Sequence, residues 1–187
     1  MTRRRSFIAR CTALGLAMGA GPTVRAQERP LDEAWTDPAR DRSLPLRLRW
    51  PPGEGPCGLI VHSHGLGGSR EGGDVWGRAW QQAGFAVLHL QHPGSDTEVF
   101  RRGLPALHAA ASAEQLLARV RDMQFAVDEI TRRVASRAAG WSRVRLDAFG
   151  ASGHSFGAAT VQALAGQRFA AASAALEDLR FKAFVAF

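Results

Sequence analysis

The chain has 187 residues and a formal net charge of +7, and 45% of its residues are apolar while 22% are charged. This composition is typical of a globular domain and excludes a disordered or fibrous chain. Five of the 24 basic residues lie in the first 26 positions, which hold no acidic residue, so the rest of the chain carries a net charge of only +2. A nucleic-acid-binding surface on the folded part is therefore not expected.

The N-terminal segment 1–26 has the layout of an export signal. A pair of arginines at positions 4–5 precedes the uncharged, mostly apolar stretch 11–20, and Val24 and Ala26 supply small residues for a cleavage site. Paired arginines are typical of the twin-arginine pathway, which exports folded proteins. The apolar stretch is shorter than the roughly 20 residues of a membrane-spanning helix, so no stable membrane span is expected.

We predict that the protein is exported, to the periplasm or the medium, and that its mature N-terminus is Gln27. The alternative is a basic amphipathic segment that is never cleaved. N-terminal sequencing of the exported protein tests the prediction, and a sequence that begins at Met1 would contradict it.

The first part of the mature chain predicts one lead-in and two strands. Segment 27–43 is polar, contains two prolines and is expected to be a lead-in without regular structure, so the folded domain should span 44–187. Apolar and polar residues alternate over 44–50, which predicts an edge or antiparallel strand with one solvated face. A turn cluster at 51–56 then precedes Gly58–His62, whose continuous apolar run is typical of a strand buried on both faces.

The remainder alternates between helical and extended patterns. Ser112 and Gln115 have the spacing of a capping box, and the following apolar residues recur at helical intervals along one face: Leu116, Val120, Met123, Val127, Ile130 and Val134. Other helices are predicted over 74–83, with Trp76 and Trp80 on its core side, and over 156–165; further strands are predicted over 85–90, 148–152 and 181–187. This alternation predicts an α/β fold of three layers, with a mostly parallel sheet covered on both faces.

Metal and disulfide chemistry find little support in the sequence. The two cysteines are Cys11, in the predicted signal, and Cys57, which is expected to be a small buried residue. His62 and His64 could share a metal on an extended segment, but no third ligand follows at close range. We therefore expect no metal and no organic cofactor, and we interpret His64 as a histidine that braces its loop.

The motif that carries chemistry is Gly153-His154-Ser155-Phe156-Gly157, which lies between a predicted strand and a predicted helix. Such a turn lifts the serine hydroxyl above the sheet edge, and a Cβ at either glycine would crowd the neighbouring backbone. The helix that follows directs free N–H groups and its positive dipole end at the reacting centre. Ser155 is therefore a candidate nucleophile for attack on a carbonyl carbon.

A second glycine-rich loop, His64-Gly65-Leu66-Gly67-Gly68, follows the first buried strand. Acyl transfer requires two N–H donors aimed at the developing oxyanion. One donor would come from Phe156, the residue after the nucleophile, and the other from the earlier loop, where Leu66 is the best candidate.

Three blocks of this sequence resemble the α/β-hydrolase superfamily. They are Ser63-His64-Gly65-Leu66-Gly67-Gly68-Ser69-Arg70, His92-Pro93-Gly94-Ser95-Asp96 and Gly153-His154-Ser155-Phe156-Gly157-Ala158-Ala159-Thr160. Within the superfamily they are similar to the bacterial dienelactone-hydrolase-like group, which is related to platelet-activating-factor acetylhydrolases. The resemblance covers about 44–187 and implies a serine hydrolase that cleaves carboxylic esters, with Ser155 as nucleophile, Leu66 and Phe156 as oxyanion donors, and no cofactor.

One departure from the superfamily pattern is severe, because its triad runs serine, acid, histidine along the chain. No histidine follows Ser155, and Glu177 and Asp178 precede the last predicted strand rather than follow it. We therefore assign no triad acid and no triad histidine in this chain, and we expect the C-terminal strands that would carry them to be missing. His92 and His108 are weak substitutes, and a structural role in their loops is the favoured interpretation.

Three hypotheses remain open at this point. The first is an exported ester hydrolase acting on a small-molecule ester, and the second is a hydrolase of another acyl substrate, such as a lactone or a peptide. The third is a non-catalytic fragment that retains the serine turn. The sequence predicts neither the oligomeric state nor the acyl preference.

Overall fold

The computed structural model describes residues 29–169 and 175–187, so the predicted export signal and Cys11 lie outside the described residues. The strands are β1 (Leu31–Asp37), β2 (Arg42–Arg49), β3 (Cys57–Ser63), β4 (Ala86–Leu90), β5 (Val144–Gly153) and β6 (Phe181–Ala186). The helices are α1 (Asp74–Gln82), α2 (Thr97–Arg101), α3 (Leu104–Ala110), α4 (Ala113–Ala135) and α5 (Phe156–Leu164), with a 3-10 turn at Trp141–Arg143. None of these helices is long and apolar enough to cross a membrane.

The strands form one sheet in the order β1-β2-β4-β3-β5-β6. The pairs β1/β2 and β2/β4 are antiparallel, and the pairs β3/β4, β3/β5 and β5/β6 are parallel. The prediction of a mostly parallel sheet in an α/β fold is confirmed. Because β3, β4 and β5 run in the same direction, the loops that follow them meet at one edge of the sheet.

The lead-in predicted over 27–43 was wrong, because Leu31–Asp37 is a strand that pairs along its length with β2. The two prolines flank this strand instead of interrupting it, and Trp35 is only 4% exposed. The acidic residues of this segment made it look unlike a strand in the sequence. In the folded chain their charge is neutralised by arginines; for example, Asp32 accepts a 2.7 Å hydrogen bond from Arg47 on β2. As a result, β2 is antiparallel as predicted but lies inside the sheet, between β1 and β4.

Helices lie on both faces of the sheet, which gives the three predicted layers. Alternate side chains of β3 point in opposite directions. Leu59 and Val61 belong to the buried core that includes α4 and α5, whereas His62 lies on the other face, with its ring 6.3 Å from that of Trp80 in α1. The main hydrophobic core is therefore the layer between the sheet and the α4–α5 pair.

Helix α1 packs on the sheet through a different face from the predicted one. Its buried residues are Gly77 and Gln81, and Trp76 is 39% exposed. A Cβ on Gly77 would overlap Nε2 of His89, so glycine allows the helix to approach the strand closely. Trp76 is consequently free to line a surface cleft, which is described below.

Helix α4 begins as predicted, because the Ser112 hydroxyl accepts a 3.2 Å hydrogen bond from the Gln115 amide. The predicted apolar stripe faces the core. Two charged residues lie on the same buried side, namely Arg119 and Asp122, and each is 0% exposed. These two residues were not predicted to be buried, and they contact the site.

Candidate active site

Ser155 lies in a strained turn between β5 and α5. Its backbone angles are φ 53° and ψ −115°, which non-glycine residues rarely adopt, and its side chain is exposed. The turn is held by hydrogen bonds from the Ser155 amide to the Phe187 carbonyl, 2.8 Å, and from the Gly157 amide to the His154 carbonyl, also 2.8 Å. The sequence prediction of a sharp strand-to-helix turn at Ser155 is confirmed in its geometry.

Both glycines of the turn are required by close backbone contacts. A Cβ on Gly153 would overlap the Gly157 carbonyl, and a Cβ on Gly157 would overlap the Ser63 carbonyl at the end of β3. Because these neighbours are backbone atoms, they cannot move aside as a flexible side chain would. The two glycines therefore fix the height of Ser155 above the sheet edge.

The Gly157→Ala variant is expected to lose at least about 3 kcal/mol of unfolding free energy, because overpacking against backbone cannot relax. The matched control is Gly55→Ala, since a Cβ at Gly55 would meet nothing within 4 Å. Urea unfolding followed by circular dichroism measures both variants. A Gly157→Ala protein as stable as Gly55→Ala would contradict the turn geometry described here.

The loop after β3 lies directly against the serine. A Cβ on Gly65 would be 3.4 Å from the Ser155 Cβ and 3.1 Å from Nδ1 of His154. Within residues 29–169 and 175–187, neither the Leu66 amide nor the Phe156 amide donates a hydrogen bond. The structure therefore brings the two predicted donor segments next to Ser155, and neither amide has a hydrogen-bond partner among the described residues.

Residues of both segments, including Gly65, Leu66 and Ser155, line a cleft of about 280 Å³. The cleft is also lined by Trp76 and by Gly67, Gly68, Gly72 and Gly73. The ring of Trp76 is 4.3 Å from that of Phe187, measured between centroids. The cleft is small and open, and it has the size to admit a compact acyl group.

His64 holds the loop in the way that the sequence predicted. It is 2% exposed, its Nε2 accepts a 3.0 Å hydrogen bond from the His92 amide, and its Nδ1 therefore donates to the Gly65 carbonyl at 2.6 Å. That carbonyl belongs to the same peptide unit as the Leu66 amide, so the imidazole orients this N–H group. Burial lowers the pKa of His64 to about 2, which keeps the ring neutral.

The other candidate histidines are not available to Ser155. His92 is buried, and its Nε2 and Nδ1 lie 3.0 Å from the Ser63 hydroxyl and 2.9 Å from Asp122, respectively. His108 is exposed on α3, a helix that lines no part of the cleft. Across the described part of the chain, no side chain hydrogen-bonds to the Ser155 hydroxyl, and no cluster of three or more potential ligands could hold a metal ion.

The acidic residues near the C-terminus serve other contacts. Asp178 is buried and accepts hydrogen bonds from the Arg180 side chain, at 2.8 and 2.5 Å, which hold the pKa of its carboxyl below the usual value. Glu177 contacts Gly166 rather than the serine turn, since a Cβ on that glycine would lie 3.3 Å from its carboxylate. Neither carboxylate hydrogen-bonds to Ser155 in the described part of the chain.

A buried polar network that the sequence did not reveal lies beneath the site. Asp122 accepts hydrogen bonds from His92 at 2.9 Å, from Arg40 at 2.8 Å and from Arg42 at 2.8 Å. Burial raises the pKa of this carboxyl, but His92 and Arg42 outweigh burial and lower the pKa to about 2. Ser63, His92 and Asp122 thus have the hydrogen-bond order of a triad, but all three are fully buried and cannot contact a substrate. The sequence signal that could have revealed this network is the position of Asp122 among the apolar residues of α4 that face the core.

Comparison with solved structures identifies the architecture. The chain aligns with a dienelactone hydrolase from Anabaena variabilis over 74% of its own length and 59% of that structure, with 23% sequence identity and a TM-score of 0.51. It aligns with a ferulic acid esterase from Streptomyces cinnamoneus over 74% and 55%, with 20% identity and a TM-score of 0.54. The chain has the α/β-hydrolase fold.

The same fold is found in an acylaminoacyl peptidase from Pyrococcus horikoshii, with 15% identity and a TM-score of 0.57 over 84% of this chain and 22% of that one. The chain thus spans less than two thirds of the length of each of these α/β-hydrolase structures. No family model and no curated protein matches the sequence.

Proposed function

We propose that this chain carries the nucleophile and the oxyanion-binding amides of a serine hydrolase that cleaves carboxylic esters. The observation that carries the proposal is the placement of Ser155: exposed, in a strained turn, beside two amides without partners among the described residues. Two solved structures with the same fold are a dienelactone hydrolase and a ferulic acid esterase, and this similarity supports hydrolysis of an acyl bond.

In the proposed reaction the Ser155 oxygen attacks the carbonyl carbon of a small-molecule ester. The negative charge that develops on the carbonyl oxygen is bound by the amides of Leu66 and Phe156. Collapse of the tetrahedral intermediate releases the alcohol and leaves an acyl group on Ser155, which water then hydrolyses. Because none of the six histidines hydrogen-bonds to Ser155, an external base such as added imidazole takes the serine proton and returns it to the oxygen of the departing alcohol.

A fluorophosphonate tests the proposal, because its phosphorus forms a bond to an activated serine and its P=O oxygen occupies the oxyanion site. We expect an adduct on the peptide that contains Ser155, located by mass spectrometry, and faster labelling when imidazole is added as an external base. Sodium chloride at the same ionic strength is the control. An adduct confined to other serines would refute the proposal.

Specific observations support two other acyl substrates and one non-catalytic role. The small, open cleft and the dienelactone hydrolase fold match allow a lactone as the acyl substrate. The lack of a histidine bonded to Ser155 favours a non-catalytic fragment. The resemblance of the sequence motifs to platelet-activating-factor acetylhydrolases favours short acyl chains instead. The initial rates at which the unlabelled protein hydrolyses an acetyl ester, a lactone and a feruloyl ester separate these substrates.

We also propose that the protein acts after export. The support for export is the sequence of segment 1–26, which lies outside the described residues. Among the described residues the first strand begins at Leu31, after the proposed cleavage site that precedes Gln27.

A further inference from the structure

Arg119 occupies an unusual place for a charged residue. It lies on the buried side of α4 and is 0% exposed. No carboxylate of the described residues forms a salt bridge with its guanidinium. Burial of a charge without an ion-pair partner is costly, so core packing alone would favour an apolar residue at this position.

The guanidinium instead contacts three separate segments of the chain. Nη2 donates to the Ser63 hydroxyl at 3.2 Å and to the His64 carbonyl, and Nη1 donates to the Ser95 hydroxyl at 3.1 Å. The carbon of the guanidinium also lies 4.7 Å from the centroid of the Phe156 ring, in a cation–π contact.

These three segments follow β3, β4 and β5, and they meet at the site. The first leads into Leu66 and the third begins with Phe156, so each carries one of the two proposed oxyanion donors. The second is tied to the first by a 2.9 Å hydrogen bond from the Gly67 amide to the Ser95 carbonyl. One side chain therefore connects both donor segments and the loop between them.

The guanidinium remains charged at neutral pH. Desolvation lowers the pKa of Arg119 to about 9, while the charges of Asp122 and Asp96 oppose this shift. A fixed positive charge in contact with both segments that carry these amides favours negative charge at the site. The planar guanidinium offers five N–H donors on a rigid fork, whereas the three donors of a lysine all lie on one nitrogen. A lysine therefore does not reproduce the separate contacts of Nη1 and Nη2.

We propose that Arg119 is a positioning residue that holds the Leu66 and Phe156 amides at a common point for the oxyanion. This inference rests on the proposed function for its consequence in catalysis. The effect of Arg119 on the position of the Leu66 loop does not require that the chain be a hydrolase. The positioning role and the proposed function can therefore be tested separately.

The kinetic test compares Arg119→Met with Val127→Ala in fluorophosphonate labelling of the full chain with imidazole present. Val127 is buried on the same helix, eight residues after Arg119, and serves as the matched core substitution. We expect Arg119→Met to lower the maximal rate of Ser155 labelling by about 10- to 1000-fold, as loss of an oxyanion donor does. The fluorophosphonate concentration that gives half the maximal rate should change by no more than about twofold. A maximal rate no lower than that of Val127→Ala would overturn the proposal.

A second variant and a second measurement keep the proposal falsifiable. If Arg119→Met does not fold, Arg119→Lys is expected to fold and still to label about tenfold or more slowly, and wild-type labelling by it would overturn the proposal. ¹⁵N relaxation of Leu66 gives a readout without any reaction. We expect its order parameter to fall from about 0.85 to below about 0.6 in the Arg119 variant, but not in Val127→Ala.

These readouts separate the two claims. If the wild-type chain forms no adduct on Ser155, the proposed function fails, and the relaxation data still decide the role of Arg119. Hydrogen exchange of the Gly67 amide, which bonds to the Ser95 carbonyl, is measured in the same Arg119 variant. If neither the Leu66 order parameter nor this exchange rate changes, the positioning role is overturned, even if Ser155 is labelled.

Discussion

The Ser155→Ala variant is expected to form no fluorophosphonate adduct in the serine turn, which corresponds to a fall of at least about 1000-fold in the labelling rate. The reason is direct: the substitution removes the oxygen that forms the new bond and leaves the two free amides in place. Imidazole should accelerate wild-type labelling by about tenfold or more and should have no effect on the variant.

The same position offers an internal control for folding. The backbone of Ser155 is strained, because it lies near φ 53°, ψ −115°, a conformation that glycine adopts with less strain. Ser155→Gly is therefore expected to raise the unfolding free energy by about 1 kcal/mol while it also loses the adduct. Persistent labelling of either variant at the turn would show that another group reacts, and a loss of labelling that accompanies unfolding would not count as support.

The elements around the serine could be predicted because their signals are local. A glycine two residues before and two residues after Ser155, between an apolar strand and a helix, specifies the turn from neighbouring residues alone. The loop at 64–68 follows the same logic, because its glycines and its histidine act on atoms within a few residues. The α4 helix was predicted for a similar reason, since its cap and its stripe are both periodic patterns in sequence.

The features that sequence reasoning missed depend on partners far along the chain. The acidic residues of β1 are compatible with a strand only because arginines lie opposite them, for example Arg47 beside Asp32. Arg119 is compatible with a core position only because carbonyl and hydroxyl groups from two loops converge on it. The packing of α1 likewise depends on His89 beneath Gly77, which no periodicity in the helix reveals.

Acidification is expected to unfold the protein between about pH 6.5 and pH 4, with an onset above the range in which carboxylates titrate. Four histidines are buried and have lowered pKa values: about 3 for His62, 2 for His64, 4 for His89 and 4 for His92. Desolvation is the largest cause in each case. The folded protein therefore keeps these rings neutral under conditions in which the unfolded chain protonates them.

The sign of the effect follows from proton binding. Below the unfolded value of 6.5 the unfolded state binds more protons than the folded state, so stability is complete above pH 6.5 and is lost as the pH falls toward 4. Each histidine contributes about 1.4 kcal/mol per pH unit, and four together contribute about 5 kcal/mol per unit. A domain with a stability of roughly 5–15 kcal/mol should therefore unfold within one to three pH units.

Urea unfolding at pH 7.5, 6.5, 6.0 and 5.5 measures this slope directly. His89→Gln is expected to reduce the slope by about one proton, whereas Gly55→Ala should leave it unchanged because it removes no titratable group. Below pH 4, protonation of Asp122, whose pKa is lowered to about 2, should remove further stability. A slope of one proton or less between pH 6.5 and 5.5 would show that the buried histidines accept protons in the folded state, and the hydrogen bonds of His64 and His92 described above would then be wrong.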